Sequence, residues 1–241
     1  MSEAFNFISN RKQPFALRQK NIQNILWYFL ECYNLILIDK KTYSISGINK
    51  GKIKLENYLR NKLVDEYLRI YTHLLQNRFK TEYISFDKDS EETYIGKDNY
   101  ECTDKIDIYI RDKALQECWS EEKNVYFAIE CKRIEILSDT QKYVDEDTVG
   151  KFIERKHIGF RLPFEGQLAF IHQKKNTPLI VAEEINKKLS QNSSTKDLLS
   201  LIELHKTQKC SFISRHTRTY DKYDTFYIYH LLFDYSPIII D

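Results

Sequence analysis

Three ionisable side chains on two neighbouring strand patterns could form a hydrolytic site. Asp107 lies within the alternating segment 106–110, and the apolar run 125–129 ends in Glu130, Cys131 and Lys132. Residues two apart on a strand point to the same face, so Glu130 and Lys132 project together, and neighbouring strands could present Asp107 beside Glu130. Adjacent carboxylates raise each other's proton affinity unless magnesium or a compensating lysine lies nearby.

The chemistry that this set of residues would support is phosphodiester hydrolysis. A divalent cation between the carboxylates would polarise a phosphodiester oxygen and lower the pKa of a bound water. Lys132 would orient that water or neutralise charge developing on the phosphate. The Glu-x-Lys pattern occurs three times, as Glu121/Lys123, Glu130/Lys132 and Glu154/Lys156. Only the middle copy ends an apolar strand pattern, so its context selects it.

These residues resemble the PD-(D/E)xK, or restriction-endonuclease-like, nuclease superfamily over roughly residues 55–132. The core of that superfamily is a helix, three strands, a second helix and a further strand. The resemblance implies that Asp107 is the carboxylate of the second core strand and that Glu130 and Lys132 are the Glu-x-Lys of the third. It also implies a helical glutamate, for which Glu56 is the best candidate.

A geometric consideration supports Glu56. At about 100° per residue, the apolar side chains of the helical pattern 54–76 fall around the direction of Glu56, and a carboxylate centred on an apolar stripe needs a partner. Asp65 faces the opposite way, whereas Glu66 lies at the edge of the stripe and is the alternative.

The function implied by the resemblance is that of an endonuclease, a hydrolase that cleaves DNA with Mg²⁺ or Mn²⁺ as cofactor. Asp107, Glu130 and Glu56 would hold the metal. RNA is left open as a substrate, and the biological role would be restriction or defence against foreign DNA, as a homodimer or as the partner subunit of a defence system.

A basic segment follows the Glu-x-Lys strand. Its side chains Lys151, Arg155, Lys156 and Arg161 are expected to contact nucleic acid, although a solvated charged helix is the alternative. Glu165 and Gln167 could lie beside the metal site or serve a structural role.

Two alternatives in function stay open. Asp107, Glu130 and Lys132 could be a structural ion-pair group in a non-catalytic module that binds nucleic acid or protein on a nuclease-like fold. The chain could also be a nuclease subunit that is active only with a partner protein.

The elements that would position these residues indicate one α/β domain. Helical spacing covers residues 15–38, 54–76, 180–189 and 197–205. Strand patterns cover residues 83–86, 93–95, 106–110, 125–129, 210–215 and 225–233. The segment 164–172 fits either a strand or a helix, and the segment 141–159 suggests a loop with a short helix. We therefore predict a restriction-endonuclease-like core with a mixed central sheet flanked by helices over residues 51–241, preceded by a helical extension over residues 1–50.

Composition excludes several other classes. The 37 basic and 35 acidic side chains nearly balance, so charge alone does not indicate a nucleic-acid partner. The longest apolar run, 25–38, is too short for a membrane span, and the first residues lack a secretion signal, which favours the cytoplasm. Five cysteines without a CxxC pair suit reduced thiols. We find no serine or cysteine triad and no glycine-rich phosphate loop.

Overall fold

A mixed sheet of eight strands organises the part of the chain that the structure describes. The structure is a computed structural model that describes residues 2–50, 53–78, 80–96, 98–113, 126–157, 162–172, 177–200, 210–218 and 225–240. For residues 2–18, 49, 50, 157, 199 and 200 it describes the backbone only.

The strands follow the alternating and apolar patterns of the sequence. They are β1 (Tyr43–Ser44), β2 (Ile84–Ile95), β3 (Glu101–Asp112), β4 (Phe127–Ile134), β5 (Lys156–His157), β6 (Phe164–Ile171), β7 (Thr195–Ser200), β8 (Phe212–His216), β9 (Phe226–Asp234) and β10 (Ile239–Ile240). The sheet order is β5-β2-β3-β4-β6-β9-β8-β7. β2, β3 and β4 form an antiparallel meander, β4, β6 and β9 run parallel, and β8 and β7 return antiparallel. β1 and β10 form a separate parallel pair.

Helices lie on both faces of this sheet. They are α1 (Ser2–Ile38), α2 (Ile45–Lys50), α3 (Leu55–Leu63), α4 (Asp139–Lys142) and α5 (Pro178–Ser190). α3 continues as a π-helix over Val64–Leu68, and α4 continues as a π-helical segment over Tyr143–Ile153. Two 3-10 turns cover Thr72–Leu75 and Thr81–Tyr83. No helix within the described ranges combines the length and the apolar character that a bilayer crossing requires.

Two main apolar cores hold the helices to the sheet, and a smaller cluster joins Phe152 to Phe226. On one face, α1 and α3 bury Phe29 and Leu59 in the same cluster as Ile129 of β4. On the other face, the π-helical segment and α5 bury Tyr143 and Ile185 in a second cluster. Removing a large apolar side chain of this kind from water is worth about 1.5–3 kcal/mol, so both faces of the sheet are fixed by packing.

β4 and β6 approach each other closely at the centre of the sheet. Every residue of β6 is buried, as expected for a central parallel strand. A Cβ added to Gly166 would lie 2.6 Å from Cγ1 of Ile129. Glycine is therefore required where β6 passes the Glu-x-Lys strand.

The sequence patterns predict most of these elements, and one prediction is wrong. The predicted helix over 197–205 is strand β7 through residue 200, and residues 201–209 lie outside the described part. The three-residue spacing of its apolar side chains is overridden by pairing with β8 and by the packing of Leu198 on the second core.

Other predicted boundaries shift. The predicted strands 83–86 and 93–95 are parts of one strand, β2. The predicted loop with a short helix over 141–159 is mostly α4 and the π-helical segment. The ambiguous segment 164–172 is strand β6, and the predicted helix over 54–76 is interrupted after residue 68.

Candidate active site

Two carboxylates accept hydrogen bonds from backbone N–H groups of β4 beyond the point where β3 stops pairing with it. β3 and β4 pair from Ile110 opposite Phe127 to Ile108 opposite Ile129. Beyond this point Oδ2 of Asp107 accepts a hydrogen bond from the backbone N–H of Cys131 at 2.8 Å.

Farther along the same strand, Oε2 of Glu56 accepts a hydrogen bond from the backbone N–H of Arg133, also at 2.8 Å. The helix α3 and the strand β3 thereby bring their carboxylates to one edge of the Glu-x-Lys strand. Burial raises the pKa of Glu56, and the charge of Asp107 adds to the shift, whereas the backbone N–H and Lys132 oppose it.

Glu130 lies deep in this site. It is 3% exposed, and its Oε2 lies 2.5 Å from Nζ of Lys151 in the π-helical segment. Burial raises the pKa of Glu130 well above its usual range, and Asp107 contributes further, while Lys151 opposes the shift. Lys151 therefore offsets only part of the free-energy cost of ionising the Glu130 carboxyl.

Lys132 is held by two consecutive acids. Its Nζ lies 2.9 Å from Oε2 of Glu146 and 3.6 Å from Oδ2 of Asp147. Burial alone would lower the pKa of the Lys132 ammonium, but Asp147 and Glu146 outweigh burial and raise it. The lysine of the Glu-x-Lys pair is thus kept charged.

Asp147 belongs to the site although the sequence analysis did not select it. It is 4% exposed, and within the described residues its Oδ2 is buried without a hydrogen-bond partner. Burial raises its pKa to about 7, with Lys132 and Lys151 opposing the shift. The acidic run 145–147 after the Glu-x-Lys strand was the available signal, but only the π-helical geometry shows which of its members points inward.

Arg60 is a second residue that the sequence analysis missed. It is 3% exposed, and its guanidinium donates to Oδ1 of Asp107 at 2.6 Å and to Oδ2 of Asp89 at 2.9 Å. It lies one helical turn after Glu56, on the same side of α3. An arginine four residues after a candidate carboxylate was therefore a usable signal.

The structure brings the four predicted catalytic residues together with three others, one of which, Lys151, was predicted to contact nucleic acid. We call this group the charged cluster; it comprises Glu56, Arg60, Asp107, Glu130, Lys132, Asp147 and Lys151. The alternative helical acid, Glu66, lies elsewhere and contacts Lys62, and Asp65, which was predicted to face the opposite way, contacts Arg69 on the exposed side of the helix.

A groove of about 400 Å³ opens beside the charged cluster. It is lined by Lys54, Leu55, Glu56, Lys132, Arg133, Asp139, Lys142 and Glu146. Four of these side chains are cationic and three are anionic, so the groove offers phosphate-binding groups next to the carboxylates.

The predicted nucleic-acid residues are distributed unevenly. Lys151 is part of the charged cluster, and Arg155 lies 2.9 Å from Asp104 and stacks 4.0 Å from the ring centre of Tyr94. Lys156 is exposed on β5, and Arg161 lies outside the described residues. Arg155 is thus engaged by an acid and a ring rather than directed to solvent.

The two polar residues of β6 have structural partners. Gln167 is the lateral neighbour of Glu130 and binds the carbonyl oxygen of Tyr143 and the hydroxyl of Thr148, each at 2.7 Å. Glu165 forms an ion pair with Arg218 at 2.6 Å, and both side chains are 2% exposed.

The donor atoms of the charged cluster fit a hard divalent cation in kind, since Mg²⁺ prefers carboxylate oxygens. The raised pKa of Glu130 also indicates a demand for positive charge. In this arrangement, however, the described residues contain no group of three or more His, Cys, Asp or Glu side chains placed to hold a metal ion. The ammonium of Lys151 lies against Glu130, and Arg60 lies against Asp107.

No protein-family model matches the chain, and no curated protein or solved structure is significantly similar to it. Function is therefore inferred from the geometry of the charged cluster.

Proposed function

We propose that the protein is a metal-dependent nuclease that hydrolyses phosphodiester bonds of DNA. The observation that carries this proposal is the meeting of Glu56, Asp107, Glu130 and Lys132 where β3 and β4 diverge. These groups come from three elements that are distant in sequence. A purely structural role would require only that each charge be paired.

The order of the elements supports a restriction-endonuclease-like core. Apart from the two-residue strand β5 before β6, the order α3, β2, β3, β4, α4 and β6 gives a helix, three antiparallel strands, a helix and a strand parallel to the third. The candidate carboxylate lies on the second of these strands and the Glu-x-Lys on the third. This is the arrangement that the resemblance to the PD-(D/E)xK superfamily implies.

Each site residue has a role in the proposed reaction. Asp107 and Glu130, with Glu56, would hold Mg²⁺ or Mn²⁺, which when bound polarises a phosphodiester oxygen and acidifies water. The Lys132 ammonium orients the attacking water or neutralises charge on the phosphate. A role in restriction or defence follows from the resemblance alone.

The groove beside the cluster supports a polyanionic substrate. Its cations Lys54, Lys132, Arg133 and Lys142 lie within one cavity of about 400 Å³. Lys54 and Arg133 line the groove together with Glu56, so a phosphate in the groove would lie next to a carboxylate of the site.

The test is cleavage of duplex DNA, single-stranded DNA and RNA with and without Mg²⁺. We expect Asp107→Asn and Lys132→Met each to reduce cleavage by about 10³-fold, in the range found for loss of electrostatic or acid–base groups. Glu154→Gln is the matched control, because it alters another Glu-x-Lys copy that is exposed. Circular dichroism would verify that the variants fold.

One observation favours a second candidate, a non-catalytic module that binds nucleic acid. Asp107 is paired with Arg60 and Glu130 with Lys151, as in a structural ion-pair network. Retained Mg²⁺-dependent cleavage in Asp107→Asn would assign the activity to another source. Absence of cleavage in the wild type, together with binding of DNA in the groove, would favour the second candidate.

A further inference from the structure

Lys151 occupies the position next to Glu130 that a cation would take. Its Nζ lies 2.5 Å from Oε2 of Glu130 and 3.7 Å from Oδ2 of Asp104. It is supplied by the π-helical segment, which also places Asp147 beside Lys132. One segment therefore neutralises both members of the Glu-x-Lys pair with opposite charges.

The contact with Lys151 is electrostatically necessary when no metal is bound. The Glu130 side chain is 4% exposed, and an ionised carboxylate at such a position is strongly unfavourable without a counter-charge. A divalent cation that binds Oε2 of Glu130 must therefore displace the Lys151 ammonium.

Lys151 is placed so that it can leave Glu130 without movement of the backbone. Its side chain is 21% exposed, whereas that of Glu130 is 4% exposed, so the ammonium lies on the solvent side of the pair. A lysine carries its charge on a flexible four-carbon stem. A phosphate of the substrate offers the ammonium an alternative partner of the same charge sign as Glu130.

We propose that Lys151 is an internal counter-cation that competes with the divalent metal and is released by a substrate phosphate. Metal binding and nucleic-acid binding are then coupled. A substrate phosphate draws Lys151 away from Glu130 and so frees the metal site, and a bound metal displaces Lys151 and so frees it to bind a phosphate. By linkage, the factor by which DNA tightens metal binding equals the factor by which metal tightens DNA binding. This inference rests on the proposed nuclease function.

The first measurement is the affinity for Mn²⁺, followed by calorimetry or by electron paramagnetic resonance. We expect Lys151→Met to bind Mn²⁺ about 10-fold or more tightly than the wild type, within the usual range of coupling between sites. Lys187→Met is the matched control, because Lys187 also faces a glutamate, at 3.7 Å, but on the exposed side of α5. This control should bind Mn²⁺ as the wild type does.

The second measurement repeats the titration with an uncleavable phosphorothioate duplex present. DNA should tighten Mn²⁺ binding to the wild type by about 10-fold and should leave the affinity of Lys151→Met unchanged. Lys151→Arg should bind Mn²⁺ more weakly than the wild type, because a guanidinium pairs with a carboxylate through two hydrogen bonds. This charge-retaining variant keeps the test decisive if Lys151→Met does not fold.

The outcomes separate this inference from the proposed function. If the wild type cleaves DNA with Mg²⁺ but Lys151→Met binds Mn²⁺ no more tightly and Lys151→Arg no more weakly, Lys151 is not a competitor and the nuclease function stands. If the wild type cleaves nothing and none of the variants binds Mn²⁺, both proposals are wrong. If Lys151→Met binds Mn²⁺ more tightly but DNA does not tighten Mn²⁺ binding to the wild type, the phosphate-release step is wrong.

Discussion

Two buried polar regions lie on one lateral row of the sheet and differ in charge. Glu130, Gln167 and His230 are neighbours across β4, β6 and β9. At the Glu130 end lies the charged cluster. At the His230 end lies a set of uncharged groups that we call the neutral chain; it comprises Tyr143, His230, Ser214, His216 and Thr195.

The neutral chain is fully connected by hydrogen bonds. The Tyr143 hydroxyl lies 2.8 Å from Nδ1 of His230, and the Ser214 hydroxyl lies 2.7 Å from Nε2 of His230 and 2.6 Å from Nε2 of His216. Thr195 closes the chain at 3.2 Å from Nδ1 of His216. Burial lowers the pKa of His216 to about 3 and that of His230 well below its usual range, so both rings stay neutral.

The comparison separates structural from functional burial of polar groups. In the neutral chain each ring nitrogen has a partner, and such satisfied networks make a fold unique and rigid. In the charged cluster, Oδ2 of Asp147 is buried 3.6 Å from Nζ of Lys132 without a hydrogen bond from any described residue, and the pKa of Glu130 is raised. Unsatisfied charge of this kind is typical of sites that bind or react.

The largest expected effect comes from Glu130→Gln. We expect this variant to lose about 10³-fold in the rate of Mg²⁺-dependent DNA cleavage, comparable with the loss of other electrostatic groups. Thermal unfolding verifies that the variant folds. Glu154→Gln serves as the control for rate. A cleavage rate within threefold of the wild type would remove Glu130 from the site.

The second largest effect concerns stability and comes from His230→Ala. His230 is fully buried and stacks on Phe212 at 4.3 Å between ring centres. Its removal leaves the Tyr143 hydroxyl and the Ser214 hydroxyl without this partner and creates a cavity, so we expect a loss of about 2–4 kcal/mol in the free energy of unfolding.

Urea unfolding measures that loss, and the cleavage rate of the folded variant should equal that of the wild type. If His230→Ala kept its stability but lost activity, the neutral chain would be functional and not structural.

The sequence predicted the strands of the site better than it predicted the helices that complete it. Alternation around Asp107 and the apolar run before Glu130 placed both residues on neighbouring strands, and the apolar stripe placed Glu56 towards the sheet. Period-two and helical patterns depend only on which side of an element is buried. A single segment of the sequence is therefore enough to show which side of a strand or helix is buried.

Contacts that depend on tertiary structure were beyond such patterns. Asp147 and Lys151 meet the Glu-x-Lys strand because the chain follows a π-helix over Tyr143–Ile153, and a sequence pattern at 100° per residue misplaces side chains in a π-helix. Strand β7 was predicted as a helix because pairing at the edge of a sheet leaves little trace in a polar segment.

The third effect is a difference in pH dependence produced by Asp147→Asn. Because burial raises the pKa of Asp147 from its ordinary value of 3.8 to about 7, the folded state keeps a proton that the unfolded chain loses. Its contribution to stability is complete at low pH and is lost as the pH rises through 7. At about 1.4 kcal/mol per pH unit, the wild type should lose about 2–3 kcal/mol of its free energy of unfolding through Asp147 between pH 5 and pH 8.

Chemical denaturation at several pH values measures this loss in the wild type and its reduction in Asp147→Asn. Asp145→Asn is the matched control, since Asp145 is exposed on the same segment and accepts a hydrogen bond only from a neighbouring glutamine in the contacts described. Identical pH profiles for the wild type and Asp147→Asn would show that Asp147 ionises normally, and the contrast with the neutral chain would weaken.

The smallest effect has the opposite sign and tests the neutral chain with His216→Gln. The pKa of His216 is lowered to about 3 from 6.5, so its contribution to stability is complete above pH 6.5 and is lost as the pH falls towards 3. Between pH 6.5 and pH 5.5 the wild type should lose about 1 kcal/mol through this residue. Glutamine can keep the hydrogen bond to Ser214 without accepting a proton, so the variant should have a shallower acid profile, whereas His73→Gln, at an exposed position, should not. If both variants follow the wild type, His216 is not a source of the acid sensitivity, and the difference between the two ends of the row in the direction in which pH weakens them would rest on His230 alone.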